Sequence, residues 1–254
     1  MHLDYFDLLS PEPISFRSVC GVRCPTLREI NKISYSVYQF YLSLLLLTPQ
    51  AYFSMIQRQE AYDIMTEEEK ALLNTYELLV EDQNLCPCVE KMLNFFLVNH
   101  VKYDSQYKAF LLYQEEDTKP CGIIQKELWP QLCNVILQRN YIRPKEKDFS
   151  HIKSKRALAI MEKLRKGRAN KEINTKADMN MEIGNIISAV ANKSGSLNII
   201  NIWDITIYQL WDAFYRLCNN SIYHIQAMSV AAYGDKDHHF DSDLWYKNLS
   251  KSNQ

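Results

Sequence analysis

Residues 201–217 of this chain read NIWDITIYQLWDAFYRL. Thr206 and Gln209 have the spacing of a capping box, in which two side chains satisfy free backbone N–H groups at a helix start. Apolar side chains then recur at the i, i+3, i+4, i+7 positions of one helix face. The stretch therefore predicts an amphipathic helix that begins near Ile205. Its apolar face comprises Ile207, Leu210, Trp211, Phe214, Leu217 and Cys218.

The other side of this helix is polar. Asp212 and Arg216 are four residues apart and can pair across one helical turn. Two interpretations stay open. The helix is buried in the core, or it is half core and half docking surface, because Trp and Tyr are favoured at protein interfaces. The second interpretation predicts a partner-binding surface of Trp203, Tyr208, Gln209, Trp211, Asp212, Tyr215 and Arg216.

A weaker copy of this pattern occurs near the N-terminus. SVYQFY (36–41) matches TIYQLW (206–211) residue class for residue class, which indicates either a duplication or chance. The apolar positions continue through Leu44 and Leu47, so a helix is predicted from Ser36 to Leu47. It is apolar on more sides than its counterpart, and we expect it to lie deeper. The stripe expected to be buried comprises Val37, Phe40, Tyr41, Leu44 and Leu47.

The rest of the chain favours a mainly α, α+β fold. Capping boxes at Thr26 and Thr66 open further helices, the second through residues 71–82. Two stretches predict hairpins: residues 14–25, turning at Gly21, and residues 107–125. The C-terminal part is expected to be all helical, with a separate helix from Ser221 to Gly234 and an apolar anchor at residues 244–246.

Changes in composition suggest three regions. Residues 1–142 are predicted to be a helical domain with small β-hairpins. Residues 143–178 are predicted to be a basic helix and polar linker, and residues 179–254 a helical C-terminal region.

Overall charge argues against whole-protein affinity for nucleic acid or an acidic membrane, because the net charge is only -1 over 254 residues. The most apolar run, residues 37–47, is too short to cross a bilayer. An odd number of cysteines, seven, without a regular framework is typical of reduced thiols. We therefore expect a soluble protein of the cytoplasm.

A basic stretch at residues 153–168 could contact phosphates, a partner's acidic surface or only water. No aromatic residue interleaves its charges, which makes nucleic acid an unfavoured partner. The candidate basic patch comprises Lys155, Arg156, Lys163, Arg165, Lys166 and Arg168.

No motif predicts a cofactor, a metal or catalysis. Cys20 and Cys24 with Cys86 and Cys88 lack the usual paired spacing of a zinc site. The stretch 234–243 is rich in Asp and His, but it lacks the glycine and closing glutamate of a calcium loop. The remaining cysteines, Cys121, Cys133 and Cys218, lie in apolar patterns and are expected in the core. We expect a protein that is not an enzyme.

Several short segments together resemble a known family. These are residues 201–217, the preceding NIISAVANKS (185–194), the closing LWYKNL (244–249), and CPTLREINKISYSVYQFYLSLL (24–45). They are similar to the tail assembly chaperones, and the related baseplate-hub assembly proteins, of tailed bacteriophages of Gram-positive hosts.

The resemblance implies a non-enzymatic role in the bacterial host cytoplasm. Such chaperones bind the helical tape-measure protein and keep its apolar surface soluble until the tail tube forms around it. The partner is then the phage tape-measure protein or another tail or baseplate protein. A structural baseplate role, a nucleic-acid-binding role for residues 153–168, and a homo-oligomer remain open alternatives.

Overall fold

The computed structural model describes residues 1–114, 119–142, 181–235 and 240–250. In these ranges the fold is α+β, as predicted: helices dominate, and the two antiparallel sheets are small and lie in the N-terminal part. The elements in chain order are α1 (Tyr5–Leu9), β1 (Ile14–Phe16), β2 (Cys20–Val22), α2 (Leu27–Ile33), α3 (Tyr35–Leu45), α4 (Pro49–Met55), α5 (Gln59–Ile64), α6 (Glu67–Leu72), α7 (Thr75–Glu81), α8 (Leu85–Phe96), β3 (His100–Asp104), β4 (Ala109–Tyr113), β5 (Gly122–Ile124), α9 (Trp129–Arg139), α10 (Ile183–Lys193), a 3₁₀ turn (Ile202–Asp204) and α11 (Ile207–Tyr233).

The first hairpin is present, but its turn lies earlier than expected. Arg17 and Ser18 have φ values of 48° and 56°, and the Val19 N–H donates to the Phe16 carbonyl over 2.8 Å. Two successive positive φ values are the geometry of a type I′ turn, which suits the twist of paired strands. Gly21, the predicted turn residue, instead lies within β2. A Cβ there would come within 3.0 Å of Val98 Cγ2, so close packing accounts for the glycine.

The second sheet has three strands in the order β3-β4-β5. The hairpin predicted over residues 107–125 is confirmed as β4 and β5. The third strand, β3, was not predicted; it follows α8, which ends at Phe96, and pairs with β4. The central strand β4 buries Phe110 and Leu112 fully, which makes it the part of the sheet that faces the core.

Other helix boundaries correct the sequence expectations. The helix predicted through residues 71–82 is broken, because Asn74 caps a new helix, α7, by accepting from the Tyr76 N–H over 2.9 Å. In α3 the buried tyrosines are Tyr38 and Tyr41, while Val37 and Phe40 of the predicted stripe are exposed. The Tyr38 hydroxyl donates to Asn140 Oδ1 over 2.9 Å, a bond that apolar periodicity does not reveal.

The helix of the opening stretch, α11, is longer than expected. Thr206 and Gln209 form the predicted capping box, and Gly234, at φ 76°, ends the helix as predicted. Ser221 does not cap a separate helix: its hydroxyl donates to the Leu217 carbonyl one turn back, over 2.7 Å. The two predicted helices are therefore one continuous helix of 27 residues.

The two ends of the chain share one core. Ile186 and Val190 of α10 and Ile207 of α11 are buried in the same cluster as Phe96 and Leu132. The described residues on either side of 143–178 therefore pack together, and the three-region division stays a prediction.

Candidate protein-binding surface

The predicted docking segment lies on the first half of α11 and the turn before it. Tyr208 is only 2% exposed, while Trp203, Trp211 and Tyr215 are half-buried. The ring of Tyr141 contacts Tyr208 at 4.9 Å between centroids and stacks on Tyr215 at 5.7 Å. Tyr208 is thus a core residue, and the other three aromatic side chains are partly exposed.

Polar residues of this segment bind the chain's own N-terminal and C-terminal segments. Gln209 Nε2 donates to the Leu9 carbonyl over 2.9 Å. Asp212 Oδ1 accepts a hydrogen bond from the Tyr5 hydroxyl, and Arg216 Nη2 donates to that hydroxyl over 3.0 Å. Asp212 and Arg216 therefore both bind the Tyr5 hydroxyl. Burial, with the neighbouring Asp212 carboxylate, raises the pKa of Tyr5 to about 12.

Arg216 also holds the C-terminal tail, residues 240–250. Its Nη1 donates to the carbonyls of Trp245 and Lys247 over 3.2 and 2.9 Å. Through these hydrogen bonds, the polar side of the predicted docking surface binds other segments of the same chain. Contact of that side with a partner stays a prediction.

The second half of α11 carries an open apolar face. Ile222, Ile225 and Met228 follow one another at three-residue spacing and are 46%, 65% and 66% exposed. Tyr233, which lies close to the angular position of Ile222 at 100° per residue, is 82% exposed. We call these four residues the α11 stripe. The sequence from residue 217 to residue 234 contains no Lys, Arg, Asp or Glu, so the stripe is uncharged as well as exposed.

Two segments of the chain contact other parts of this half-helix. The tail runs back along it: the ring of Phe240 lies 5.5 Å from that of Tyr223, and Asn219 Nδ2 reaches the Leu244 carbonyl at 3.5 Å. On another side α10 packs against α11, with Lys193 Nζ donating to the Ser221 hydroxyl. The stripe is the side that these two segments leave open.

The tail is anchored differently from the prediction. Trp245 is 51% exposed, and Tyr246 is also exposed, because the backbone carbonyls of this turn, rather than the side chains, face Arg216. Leu249 is the buried apolar side chain of the tail. The predicted anchor at residues 244–246 is therefore wrong.

The α11 stripe and the predicted surface lie in the part of the chain that one family model matches. Residues 172–250 match the model of the YomV second domain, a phage-associated family. The match supports a phage protein. The stretch similar to the YomV second domain contains α10, α11 and the tail, and hence every residue of the stripe. No curated protein and no solved structure matches the chain.

Two surface clefts formed by described residues lie outside this stretch. One, of about 240 Å³, lies beside Tyr76, and its lysines are paired: Lys108 with Glu81 at 3.2 Å and Lys126 with Glu77 at 2.9 Å. The other, of about 440 Å³, is lined by the first hairpin and by Cys20 and Cys121. Burial raises the pKa of the Cys20 thiol to about 12, so this sulfur is protonated at neutral pH.

The cysteines divide between core and surface. Cys133 is buried as predicted, whereas Cys121 and Cys218 are exposed, which corrects the expectation that all three lie in the core. Both exposed cysteines follow an apolar sequence pattern, but Cys121 lies just before β5 and Cys218 lies on the stripe side of α11. Among the residues that the structure describes, no three His, Cys, Asp or Glu side chains are grouped to hold a metal ion.

Some sequence predictions fall outside the described ranges. The basic patch, from Lys155 to Arg168, lies there, as does part of the loop 234–243. Every helix of the described ranges is too short or too polar to span a membrane.

Proposed function

We propose that this chain is a non-enzymatic phage tail assembly chaperone. It binds the tape-measure protein, or another tail component, through the α11 stripe and keeps that partner soluble during assembly. The observation that carries the proposal is the stripe itself: an exposed, uncharged apolar face on a long helix that the tail and α10 contact elsewhere.

The chemistry of the stripe fits a helical, apolar partner. Exposed apolar side chains at successive helical turns are the anchors of helix-in-groove recognition. Covering a large aliphatic or aromatic side chain is worth roughly 1.5–3 kcal/mol before the costs of association. Because no Lys, Arg, Asp or Glu lies between residues 217 and 234, the surface selects an apolar face rather than an opposite charge.

Rigidity of the helix supports the same role. The Thr206 capping box fixes the start of α11, and the tail and α10 brace its second half. A surface that is ordered before binding loses less conformational entropy when the partner docks. The tape-measure protein is named from the family resemblance of the sequence, and the phage-associated match to residues 172–250 is consistent with it.

Co-expression with the tape-measure protein of the same phage tests the proposal. The partner should move from the pellet to the supernatant when this chain is present. Ile225→Glu combined with Met228→Glu should return it to the pellet. Ile64→Glu is the matched control, because Ile64 is 84% exposed on α5, away from the stripe, and this variant should behave like the unaltered chain.

Two outcomes would contradict the proposal. If the partner stays equally insoluble with and without the chain, the chaperone role fails. If the stripe variant solubilises the partner as well as the unaltered chain does, the stripe is not the binding surface. Mass spectrometry of purified virions separates the alternatives: a chaperone is absent from the particle, whereas a stoichiometric copy number would establish a baseplate or tail component instead.

A further inference from the structure

We propose that the α11 stripe also pairs with the same stripe of a second copy of this chain. The resulting weak, two-fold symmetric dimer covers the stripe until the tail partner displaces it. The displacement rests on the proposed function; the pairing does not, since it involves this chain alone.

The shape of the open face suits self-pairing. The stripe is a ridge on a helix rather than a groove, and the stretch from Cys218 to Tyr233 is about 24 Å long at 1.5 Å per residue. Ridges of two helices interlock when they cross at a shallow angle. When the two-fold axis is perpendicular to the helices, the two stretches run antiparallel. Ile225, near the middle, then lies beside its own copy, Ile222 lies opposite Met228, and Tyr233 lies opposite Cys218 of the other copy.

Charge favours a second copy as the occupant. The stripe has no acidic or basic residue, so like-with-like contact brings no like charges together. The chain as a whole has a net charge of -1 at pH 7, which leaves little repulsion between two copies. Two copies of a strongly charged protein with the same stripe would repel each other more strongly than two copies of this chain do.

The size of the stripe sets the strength of the dimer. The four exposed side chains offer on the order of 500 Å² per copy, since large apolar side chains expose about 100–200 Å² each. Two copies together would bury on the order of 1,000 Å², which is below the standard interface and typical of weak or transient complexes. Such a dimer dissociates readily and can give way to a tail partner.

Sedimentation velocity of the full chain over a range of concentrations tests the pairing. The unaltered chain should show a monomer–dimer equilibrium that salt changes little. Ile225→Glu places two like charges at the centre of the pair and should raise the dimer dissociation constant at least about ten-fold. Ile64→Glu should leave the constant unchanged, and circular dichroism should show the same helix content for all three chains.

Cys218 supplies a second readout. It is exposed and lies one turn before Ile222 on the stripe side of α11, whereas Cys121 is exposed on the other part of the molecule, next to β5. The alkylation rate of Cys218 relative to Cys121 should fall as protein concentration rises. In Ile225→Glu the ratio should not depend on concentration.

The outcomes separate this proposal from the chaperone function. A monomer at every attainable concentration, or a dimer that survives Ile225→Glu, overturns the pairing. A monomeric chain that still solubilises the tape-measure protein rejects the dimer alone. A dimer that Ile225→Glu disrupts, in a chain that never solubilises the partner, rejects the chaperone function alone.

Discussion

Thr26 and Thr206 form an antiparallel β-bridge, and each is also the N-cap of a helix. The Leu27 N–H donates to the Ile205 carbonyl and the Ile207 N–H to the Pro25 carbonyl, both over 3.0 Å. Both threonines stand in capping boxes, so the starts of α2 and α11 are fixed side by side. The bridge links the first part of the chain to the part similar to the YomV second domain.

Removing the buried cap should destabilise the whole fold. Thr206→Ala loses the hydroxyl that accepts from the Gln209 N–H over 3.2 Å, and Thr206 itself is buried. We expect the free energy of unfolding in urea to fall by about 1–2 kcal/mol. Thr66→Ala is the matched control, because its box has the same 3.2 Å bond to Glu69 but caps α6, which buries no residue. Equal losses in the two variants would mean that burial of the Thr206 cap adds nothing to its contribution.

Among the arginines that the structure describes, Arg139 should be the most sensitive to substitution. It is fully buried and donates to the carbonyls of Asp7, Ser10 and Glu12, the last two over 2.9 and 2.8 Å. Arg139→Ala leaves those carbonyls without this donor and should cost about 3–5 kcal/mol. Hydrogen exchange should rise first in residues 1–12, which this side chain holds.

A surface arginine provides the comparison for that variant. Arg28 bridges to Asp204 at 2.7 Å, but both side chains are more than half exposed. Arg28→Ala should change the free energy of unfolding by less than about 1 kcal/mol, because solvent screens exposed ion pairs. A loss at Arg28 as large as that at Arg139 would contradict the assignment.

Alanine substitutions at three aromatic residues of α11 should lower the free energy of unfolding by different amounts. Tyr208→Ala removes a buried ring and should cost about 3–5 kcal/mol, the range for large aromatic side chains in cores. Trp211→Ala and Tyr215→Ala remove half-buried rings and should cost less. Urea denaturation with near-ultraviolet circular dichroism measures the order, and a loss at Tyr215 that matches Tyr208 would show that the Tyr141 stack is as important as burial.

Buried thiols should make stability fall at alkaline pH. The pKa of Cys20 rises to about 12 on burial, from an ordinary value of 9.0. The folded state therefore holds this proton where the unfolded state releases it, and stability present below pH 9 is lost between pH 9 and 12. The slope from this one group is at most about 1.4 kcal/mol per pH unit.

Cys20→Ala isolates that contribution. The difference in free energy of unfolding between the unaltered chain and this variant should be constant from pH 7 to 8.5 and shrink above pH 9. The ultraviolet absorbance of the thiolate gives an independent titration of the same sulfur. A difference that does not change with pH would show that Cys20 ionises alike in both states.

Local signals account for what the sequence predicted well. The capping boxes at Thr26, Thr66 and Thr206 and the stop at Gly234 depend on side chains a few residues apart, so spacing alone reveals them. The type I′ turn at Arg17 and Ser18 was misplaced because neither residue is Gly or Asn, the usual signal for positive φ.

Contacts between distant segments account for the rest. Tyr208 was predicted to face a partner, but its side chain is buried and its ring contacts that of Tyr141, which is remote in the sequence. Gln209, Asp212 and Arg216 look free in the sequence because their partners, Leu9, Tyr5 and the tail, are remote. The α11 stripe was missed because Ser221 suggested a new helix; the uncharged run from 217 to 234 was the available signal.

The contact between Leu9 and Gln209 has a consequence for how the molecule is made. These residues are 200 positions apart, so the end of α1 contacts a residue that the ribosome adds much later. Contacts so remote in sequence slow folding and leave apolar surface unpaired while translation proceeds. A chain that stops before residue 209 therefore keeps the Arg139 hydrogen bonds to residues 7–12 but lacks the hydrogen bond that holds the end of α1 against α11.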